Sequence, residues 1–272
     1  MLYIEPAFAA TLLPSEQRFS HLVRLDGHVY REQNGRRTLR FEHRGKQFFL
    51  KVHTGVGWKE IFKNILQLRL PVISADPEWR ALHRLNALGI HTTKPVAYGS
   101  EGGNPARRHS FIITEDLGDT ITLEEILLKS DSRPTSTAVP TPFKHALIRR
   151  VAEIARTMHE NGINHRDFYL CHFRLPVAQL HTADFAQPLP IYVMDLHRAQ
   201  IHHRHPRERW VAKDLACLYF SSLPLAVTQR DRFRFIRDYS GLPLRATLTS
   251  EARLWRKVER RAIRLFRKHN PA

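Results

Sequence analysis

The sequence predicts an α+β fold with two lobes, in which a small antiparallel sheet comes first and a larger, mainly helical part follows. Short strand-like segments separated by turn residues dominate the first 116 residues, and helical periodicity dominates from residue 117 onward. A chain of 272 residues can bury a substantial core in two such lobes. We therefore expect an N-terminal lobe at 1–116 and a C-terminal lobe at 117–272, with a ligand-binding cleft between them.

Turn residues divide the first lobe into short strands. Asn34-Gly35 is a strong hairpin signal and Arg44-Gly45 is a weaker one, so the three segments that they join should form an antiparallel meander. Two further apolar segments follow later in the lobe. The predicted strands are Gly27 to Glu32, Arg37 to Glu42, Lys46 to Val52, Thr93 to Tyr98 and Ser110 to Glu115.

Two helices are predicted within the first lobe. Apolar residues recur on one face of the first of them, which Pro71 should end. The second begins at Asp76-Pro77, where a proline suits the first helical turn, and Gly89 closes it. The apolar face of the first helix consists of Trp58, Ile61, Phe62, Ile65 and Leu66.

Helices account for most of the second lobe. A Ser/Thr/Pro-rich loop at 130–142 separates the first two of them, and Asn161-Gly162 is a good helix end. One β-branched strand, Ile191 to Asp195, interrupts the helical pattern. The predicted helices are Leu123 to Leu128, Lys144 to Glu160, Trp210 to Ser222, Gln229 to Tyr239 and Ser250 to Lys268.

The charge of the chain is strongly unbalanced. With 43 Lys and Arg against 26 Asp and Glu, the net charge is +17, which favours polyanionic partners. Nucleic acid, an anionic membrane, a phosphorylated glycolipid and an acidic protein all remain open on charge alone. Cys171 and Cys217 lie in apolar runs and are too few for a disulfide framework, so we expect a reducing compartment.

Three residues after the longest helix carry the first chemical signal. His165-Arg166-Asp167 matches the core of the protein-kinase catalytic loop, although the bare tripeptide is weak evidence and on its own fits a polar turn after a helix better. Downstream, a strand-like run ends at Asp195, where a kinase places its metal-binding carboxylate. We therefore assign His165, Arg166 and Asp167 to the catalytic set and Asp195 to the metal.

A lysine within an apolar strand of the first lobe is the second signal. Lys51 would be costly to bury without a partner, and Glu78 in a following helix is available to pair with it. The alternative is that Lys51 faces solvent on an edge strand. The order of strand lysine, helix glutamate, catalytic loop and strand aspartate predicts a protein-kinase-like fold that uses ATP and Mg²⁺.

The chemistry of phosphoryl transfer suggests a role for each of these residues. Lys51 would hold the α- and β-phosphates, Glu78 would fix Lys51, and Asp195 would bind magnesium. Asp167 would orient the acceptor hydroxyl and accept its proton. We also assign Glu115, at the end of an apolar strand, to the nucleotide-binding residues.

Two features depart from the kinase pattern. A histidine, His172, stands where the second metal-binding asparagine is expected, so it could be a metal ligand or could only orient Asp167. The glycine-rich loop is reduced to Gly35. The neighbouring Arg36 and Arg37 could contact phosphate instead, or could lie in a solvated turn.

Several longer stretches together resemble the lipopolysaccharide core heptose kinase family, over nearly the whole chain. The combination of Cys-His-Phe after the catalytic loop with a later Asp-Leu-His-Arg-Ala-Gln is far more specific than His-Arg-Asp alone. The matching stretches are Arg36 to Phe41, Glu78-Trp79, Phe111 to Asp116, Gly162 to Asp167, Cys171-His172-Phe173, Asp195 to Gln200, Arg209-Trp210 and Lys213-Asp214-Leu215.

This resemblance implies ATP-dependent phosphorylation of the first heptose of the inner core, at the cytoplasmic side of the inner membrane. It makes Asp167 the catalytic aspartate, Lys51 the ATP lysine, Asp195 the metal aspartate and Asp214 a buried brace for the catalytic loop. The implied partners are the core glycolipid and an anionic membrane surface. An acidic protein such as acyl carrier protein would also suit the basic surface, and no nucleic acid is expected.

The C-terminal basic helix leaves two interpretations open. Trp255, Val258, Ile263 and Phe266 stand among many basic residues, as in helices that lie on anionic bilayers. The alternative is a helix packed on the second lobe with its charges in water. The Trp58 helix is a second possible surface for a membrane, acceptor or protein.

Other functions remain as alternatives. A nucleic-acid-binding protein would fit the charge, but no zinc-finger, RNP or helix-turn-helix signature is present. A hydrolase could use His165, Asp167 and His172 as metal ligands. Within the kinases, the acceptor could be a protein tyrosine or another small-molecule hydroxyl.

Overall fold

The chain forms two compact units. The computed structural model describes residues 1–33, 35–66, 72–129, 139–181 and 187–270. The predicted turn residue Asn34, the predicted helix stop Pro71 and most of the predicted Ser/Thr/Pro-rich loop lie outside these residues. The first unit comprises Met1–Arg84 and Thr93–Leu117, and the second comprises Leu85–Thr92 and Gly118–Ala272.

A six-stranded antiparallel sheet organises the first unit. The strand order is β1-β5-β6-β4-β3-β2, so the predicted meander of β2, β3 and β4 is confirmed as one side of a wider sheet. The strands are β1 (Leu2–Ile4), β2 (His28–Gln33), β3 (Arg36–His43), β4 (Lys46–His53), β5 (Pro95–Glu101) and β6 (His109–Glu115). The helices are α1 (Pro6–Ala9), α2 (Phe19–Leu22), α3 (Gly57–Leu66) and α4 (Asp76–Ala87), whose last residues belong to the second unit.

One face of this sheet carries the core of the first unit. Along β4, Leu50 and Val52 are buried, and because strand side chains alternate, Lys51 points to the opposite face. The short N-terminal helices cover the core with Phe8, Phe19 and others. The sequence did not predict β1, α1 or α2, because elements of three or four residues show too little periodicity.

The second unit is mainly helical. Its long helices match the predicted positions within a few residues, although Leu244–Ser250 forms a separate helix that was not predicted. The helices are α5 (Leu123–Lys129), α6 (Thr141–Glu160), α7 (Glu208–Ser222), α8 (Gln229–Ser240), α9 (Leu244–Ser250) and α10 (Ala252–His269). The short strands are β7 (Thr120–Thr122), β8 (Ile163–Asn164), β9 (Phe173–Pro176), β10 (Tyr192–Val193) and β11 (Gln200–Ile201).

A glycine fixes the approach to the catalytic loop. Helix α6 ends before Gly162, which has a φ of 79°, a backbone conformation that favours glycine. A Cβ at this position would lie 2.5 Å from the carbonyl oxygen of His202. The sharp turn at Gly162 therefore leads directly into β8, which pairs with β11.

The C-terminal helix α10 packs on the second unit. Its buried side chains Trp255, Val258 and Ala262 form a cluster with Leu215 and Ala216 of α7. The packed alternative is therefore confirmed, and α10 does not present its main apolar face to a bilayer. With an antiparallel-sheet unit and a mainly helical unit, the predicted α+β, protein-kinase-like fold class is confirmed.

Candidate active site

A lysine and a glutamate form an ion pair in the first unit. Lys51 Nζ lies 2.5 Å from Glu78 Oε1, and the Glu78 residue is only 3% exposed. Strand β4 pairs with β3 on one side and β6 on the other, so the edge-strand alternative for Lys51 is wrong. The predicted pairing of Lys51 with Glu78 is confirmed, and it fixes an ammonium group on the face opposite the core.

The other residues proposed to bind nucleotide are engaged elsewhere in the same unit. Arg36 and Arg37 begin strand β3, so the solvated-turn alternative is wrong. The Arg36 guanidinium donates to the carbonyl of Val72, and that of Arg37 donates to a carbonyl in the Val23–Leu25 segment. Glu115 ends β6 and forms an ion pair with Lys94 at 3.4 Å. None of these contacts tests the predicted nucleotide-binding role.

In the second unit, a buried aspartate holds the catalytic loop. Asp214 on α7 is fully buried, and its two carboxylate oxygens accept backbone hydrogen bonds from His165 at 2.6 Å and Arg166 at 2.8 Å. Charge-assisted bonds to two successive N–H groups strongly restrict the backbone before Asp167. This is the bracing role that the family resemblance implied for Asp214.

The first residue of the catalytic triplet has a positioning role. The His165 side chain is fully buried, and its Nε2–H donates to the carbonyl of Met194 at 2.8 Å. Burial lowers the pKa of His165, so the imidazole is neutral. This bond links the loop to the segment before Asp195, and it does not test the predicted catalytic role of His165.

Arg166 also supports the loop. Its side chain is buried, its guanidinium lies 5.5 Å from the centre of the Trp210 ring, and its carbonyl accepts a hydrogen bond from Lys213. Burial and the nearby charge of Arg198 lower the pKa of Arg166. Together with His165, this side chain acts as a scaffold for Asp167.

Two basic side chains flank the carboxylate of Asp167. Nη1 of Arg198 lies 2.8 Å from Oδ1 and 2.9 Å from Oδ2, so one nitrogen bridges both oxygens. Nζ of Lys213 lies 3.8 Å from Oδ1. Burial lowers the pKa of Lys213. Neither residue was predicted from the sequence to belong to the site, although both stand in the motifs that carry the family resemblance.

Two histidines flank the carboxylate of Asp195. His197 Nδ1 lies 2.5 Å from Oδ1, and His172 Nε2 lies 3.6 Å from Oδ2. Asp195 has a φ of 60°, and the predicted strand is therefore shortened to Tyr192–Val193. Arg166, with a φ of 75°, is also left-handed. Backbone strain of this kind concentrates at functional sites.

His172 has the geometry of a possible metal ligand. Its Nδ1 lies 2.6 Å from the carbonyl oxygen of Asp167 and must donate to it, which leaves Nε2 facing Asp195. Burial alone would lower the pKa of His172, but hydrogen bonding with Cys171 and the bond that Nδ1 donates to the Asp167 carbonyl outweigh it and raise the pKa to about 9. In the metal-free state below pH 9, His172 therefore carries a second proton, on Nε2, which a metal would have to displace.

Asp195 offers the carboxylate oxygens that suit a magnesium ion, and His172 adds an imidazole nitrogen, a ligand that softer metals accept more readily. Mg²⁺ commonly takes one or two protein ligands and completes its shell with phosphate oxygens and water, and Asp195 with His172 would supply two. Among the described residues, no group of three or more His, Cys, Asp or Glu side chains is placed to hold a metal. The alternative of a hydrolase centre built from His165, Asp167 and His172 is therefore wrong.

An apolar cavity of about 430 Å³ lies within the second unit. Side chains from α5, α6, α7, α8 and α10 line it, including Leu127, Leu147, Leu218, Ile236 and Trp255. None of the catalytic side chains described above is among its lining residues.

The fold and these residues define a protein-kinase-like phosphotransferase. The model of the "Lipopolysaccharide kinase (Kdo/WaaP) family" matches residues 20–239, and the chain belongs to this family. Two relatives are named lipopolysaccharide core heptose(I) kinase WaaP. The protein from Escherichia coli (strain K12) is 48% identical over 256 residues, covering 94% of each chain. The protein from Pseudomonas aeruginosa is 46% identical over 248 residues, covering 91% of this chain and 90% of the relative.

A solved structure is similar over the same extent. It is described as "WaaP in complex with acyl carrier protein", is 39% identical, and aligns with a TM-score of 0.81 over 98% of this chain and 99% of its own. The predicted family is confirmed, and with it the prediction of a phosphotransferase that uses ATP and a hydroxyl acceptor.

Replacing Arg198 should show whether it positions the Asp167 carboxylate for catalysis. We expect Arg198→Ala to lower kcat about a hundredfold, because a displaced Asp167 carboxylate no longer meets the acceptor hydroxyl in line. Only one nitrogen of Arg198 contacts Asp167, so Arg198→Lys should recover much of the loss. Steady-state kinetics of both variants test this, and equal losses in the two variants would contradict it.

Metal binding should depend on the proton of His172. Because the pKa of His172 is about 9, the imidazole stays protonated below that pH, so binding of Mn²⁺ used as a probe should release one proton there and its affinity should rise as the pH is raised toward 9. In the metal-free protein, the stability that this raised pKa contributes is present below pH 6.5 and is lost as the pH rises through 9.

Calorimetric titration with Mn²⁺ in buffers of different ionisation enthalpy measures that proton. His172→Asn, which keeps a metal-binding side chain without a titrating one, should abolish the proton release while retaining some Mn²⁺ affinity. Unchanged proton release in His172→Asn would exclude His172 as the group that the metal displaces.

Proposed function

We propose that this chain transfers the γ-phosphate of ATP to the first heptose of the lipopolysaccharide inner core. The observation that carries the reaction type is Asp167, held by Arg198 and beside Lys213 in a braced loop. The sugar acceptor is supported by relatives named heptose(I) kinases, which are 46% and 48% identical over about nine-tenths of both chains.

Each of these residues has its own role in phosphoryl transfer. Asp167 orients the acceptor hydroxyl and takes its proton as the new oxygen–phosphorus bond forms. Arg198 fixes the carboxylate for this role, and with Lys213 it surrounds the site with positive charge that suits an incoming phosphoryl group. Lys51, fixed by Glu78, holds the α- and β-phosphates of ATP.

Magnesium is the second cofactor of the proposal. Asp195 and His172 would hold it, and when bound it neutralises charge on the phosphate oxygens. His197 orients Asp195 through the contact between its Nδ1 and Oδ1. Arg36, Arg37 and Glu115 belong to the proposed nucleotide-binding residues as well, and for them the proposal still depends on sequence alone.

A direct assay tests the acceptor. Purified core glycolipid, stripped of its phosphates, is incubated with the protein, γ-labelled ATP and Mg²⁺, beside a tyrosine-containing peptide and free monosaccharides. Label in the glycolipid, released as heptose phosphate, is the expected result. Label in the peptide alone would refute the proposal and favour the protein-kinase alternative.

Acyl carrier protein is the proposed protein partner. The net charge of +17 suits an acidic protein, and the similar solved structure is described as a complex with acyl carrier protein. The apolar cavity in the second unit offers space for the acyl chain that such a partner carries. We expect acyl-loaded carrier protein to raise the Tm of this chain more than the unloaded form. Equal effects would exclude the cavity as the acyl site.

The proposed location is the cytoplasmic face of the inner membrane. No described helix combines the length and apolar character that crossing a bilayer requires. The acceptor in this proposal is a membrane glycolipid, so the protein must approach the membrane surface through residues on its own surface.

A further inference from the structure

Helix α3 exposes an apolar stripe. Trp58, Phe62 and Leu66 recur every four residues, which places them on one face, and they are 50%, 57% and 84% exposed. The two aromatic rings lie 5.8 Å apart between centroids. Ile61, next to this stripe on the helix surface, is only 5% exposed and is buried in the first unit. The helix is therefore anchored through Ile61 and presents three large apolar side chains to solvent.

Basic residues border this stripe. Lys59 and Lys63 are exposed on α3 itself, where Glu60 is the one acidic residue in the sequence of the helix. The helix packs against the turn Pro105–Arg107, whose exposed Arg107 is followed by Arg108. Exposed basic side chains therefore stand on the same helix and on the turn that it contacts, on a chain whose net charge is +17.

This combination fits an anionic bilayer better than a protein. Helices that lie in the membrane interface place Trp, Phe and Leu on one face and flank them with lysine or arginine. Tryptophan is particularly favoured at the level of the lipid headgroups. The more basic helix α10, in contrast, uses Trp255 and Val258 to pack on α7, and Ile263 is its one large apolar side chain counted as exposed.

We infer that the Trp58–Phe62–Leu66 stripe of α3, with Lys59, Lys63 and Arg107 around it, is the surface by which this protein docks on an anionic lipid bilayer. The apolar side chains enter the headgroup region and the basic residues contact lipid phosphates. The inference rests on the proposed function in one respect, which is that a glycolipid acceptor brings the enzyme to a membrane.

Vesicle binding tests this surface without nucleotide or acceptor. The full chain is sedimented with neutral phosphatidylcholine vesicles and with equimolar phosphatidylcholine–phosphatidylglycerol vesicles. We expect preferential binding to the anionic vesicles. The Trp58→Ser/Phe62→Ser variant should bind about tenfold more weakly or worse, because two aromatic side chains no longer leave water. Tyr30→Ser, which removes an aromatic side chain of 57% exposure from β2, should bind like the wild type.

Fluorescence identifies the inserted residue. Brominated lipids should quench the Trp58 emission, and Trp58→Phe should lose that quenching while it keeps most of the binding. Trp255 is buried and Trp79 and Trp210 are half-buried, so the quenching that is lost in Trp58→Phe gives the part of the signal that belongs to Trp58. A melting temperature like that of the wild type in each variant shows that the fold is intact, since the replaced side chains are exposed.

Three results would overturn the inference. The first is that the wild type does not bind anionic vesicles, and the second is that Trp58→Ser/Phe62→Ser binds them as well as the wild type. The third is that Arg260→Glu/Arg264→Glu in α10 abolishes binding while the α3 variant still binds. Because no turnover is measured, a failure of the proposed heptose kinase activity would leave the binding result unaffected, and the two failures remain distinguishable.

Discussion

Asp167→Asn is expected to lower kcat about a thousandfold or more, because an amide cannot accept the proton of the acceptor hydroxyl. The amide has nearly the shape of the carboxylate, and its oxygen can still accept a hydrogen bond from Arg198. The backbone of the loop is held by Asp214 and not by Asp167. The fold should therefore persist, with a Tm near that of the wild type and with KM for ATP little changed.

The matched control is Asp238→Asn, which removes a carboxylate that pairs with Arg237 on α8. It should leave kcat unchanged. The measurement is steady-state turnover on purified core glycolipid. Turnover of Asp167→Asn within a factor of about ten of the wild type would contradict the role of Asp167, since positioned proton transfer contributes more than this.

Lys51→Met is expected to have two separate effects. Turnover should fall about a hundredfold or more, because a phosphate-binding ammonium is lost. The free energy of unfolding should also fall, by about 2–3 kcal/mol, because the buried Glu78 carboxylate loses the ammonium that lies 2.5 Å from it. The Lys51 side chain is partly exposed, so we place the cost below the range for fully buried pairs.

A second substitution separates the two effects. In Lys51→Met/Glu78→Gln, no unpaired charge is left buried at the position of this pair. Denaturant unfolding should therefore show that most of the lost stability returns. Turnover should stay low, because the phosphate contact is still absent. If the double variant recovered turnover as well, the role of Lys51 would be structural. If its stability stayed as low as that of Lys51→Met, the lost ion pair would not be the cause.

The longer elements of the fold could be predicted from the sequence. The period of Leu147, Val151, Ile154 and Met158 predicts helix α6, and these four residues are buried as expected. The turn signals Asn34-Gly35 and Arg44-Gly45 predicted the meander of β2, β3 and β4. The short segments of the first 22 residues could not be found, because they become regular only when the sheet of the first unit covers them. Helix α9 was missed because its seven residues show too little periodicity.

Some contacts of the candidate site could likewise be predicted from the sequence, and others could not. The Lys51–Glu78 pair was predictable because a lysine between buried residues of a strand requires a counter-charge. Arg198 and Lys213 were not, since the first contacts Asp167 across 31 residues of sequence and no local pattern encodes that contact. Exposure of Trp58 and Phe62 was also unpredictable, because periodicity shows which residues share a face but not what covers it.

The phosphate on the inner core itself is the most direct test of the central claim. The lipopolysaccharide core is isolated from cells that lack the gene and from the same cells supplied with the wild-type or the Asp167→Asn protein, and its mass is measured. We expect one additional phosphate on the first heptose with the wild-type protein and none with Asp167→Asn. An unphosphorylated heptose in cells that carry the wild-type protein, or the same phosphate with both proteins, would contradict it.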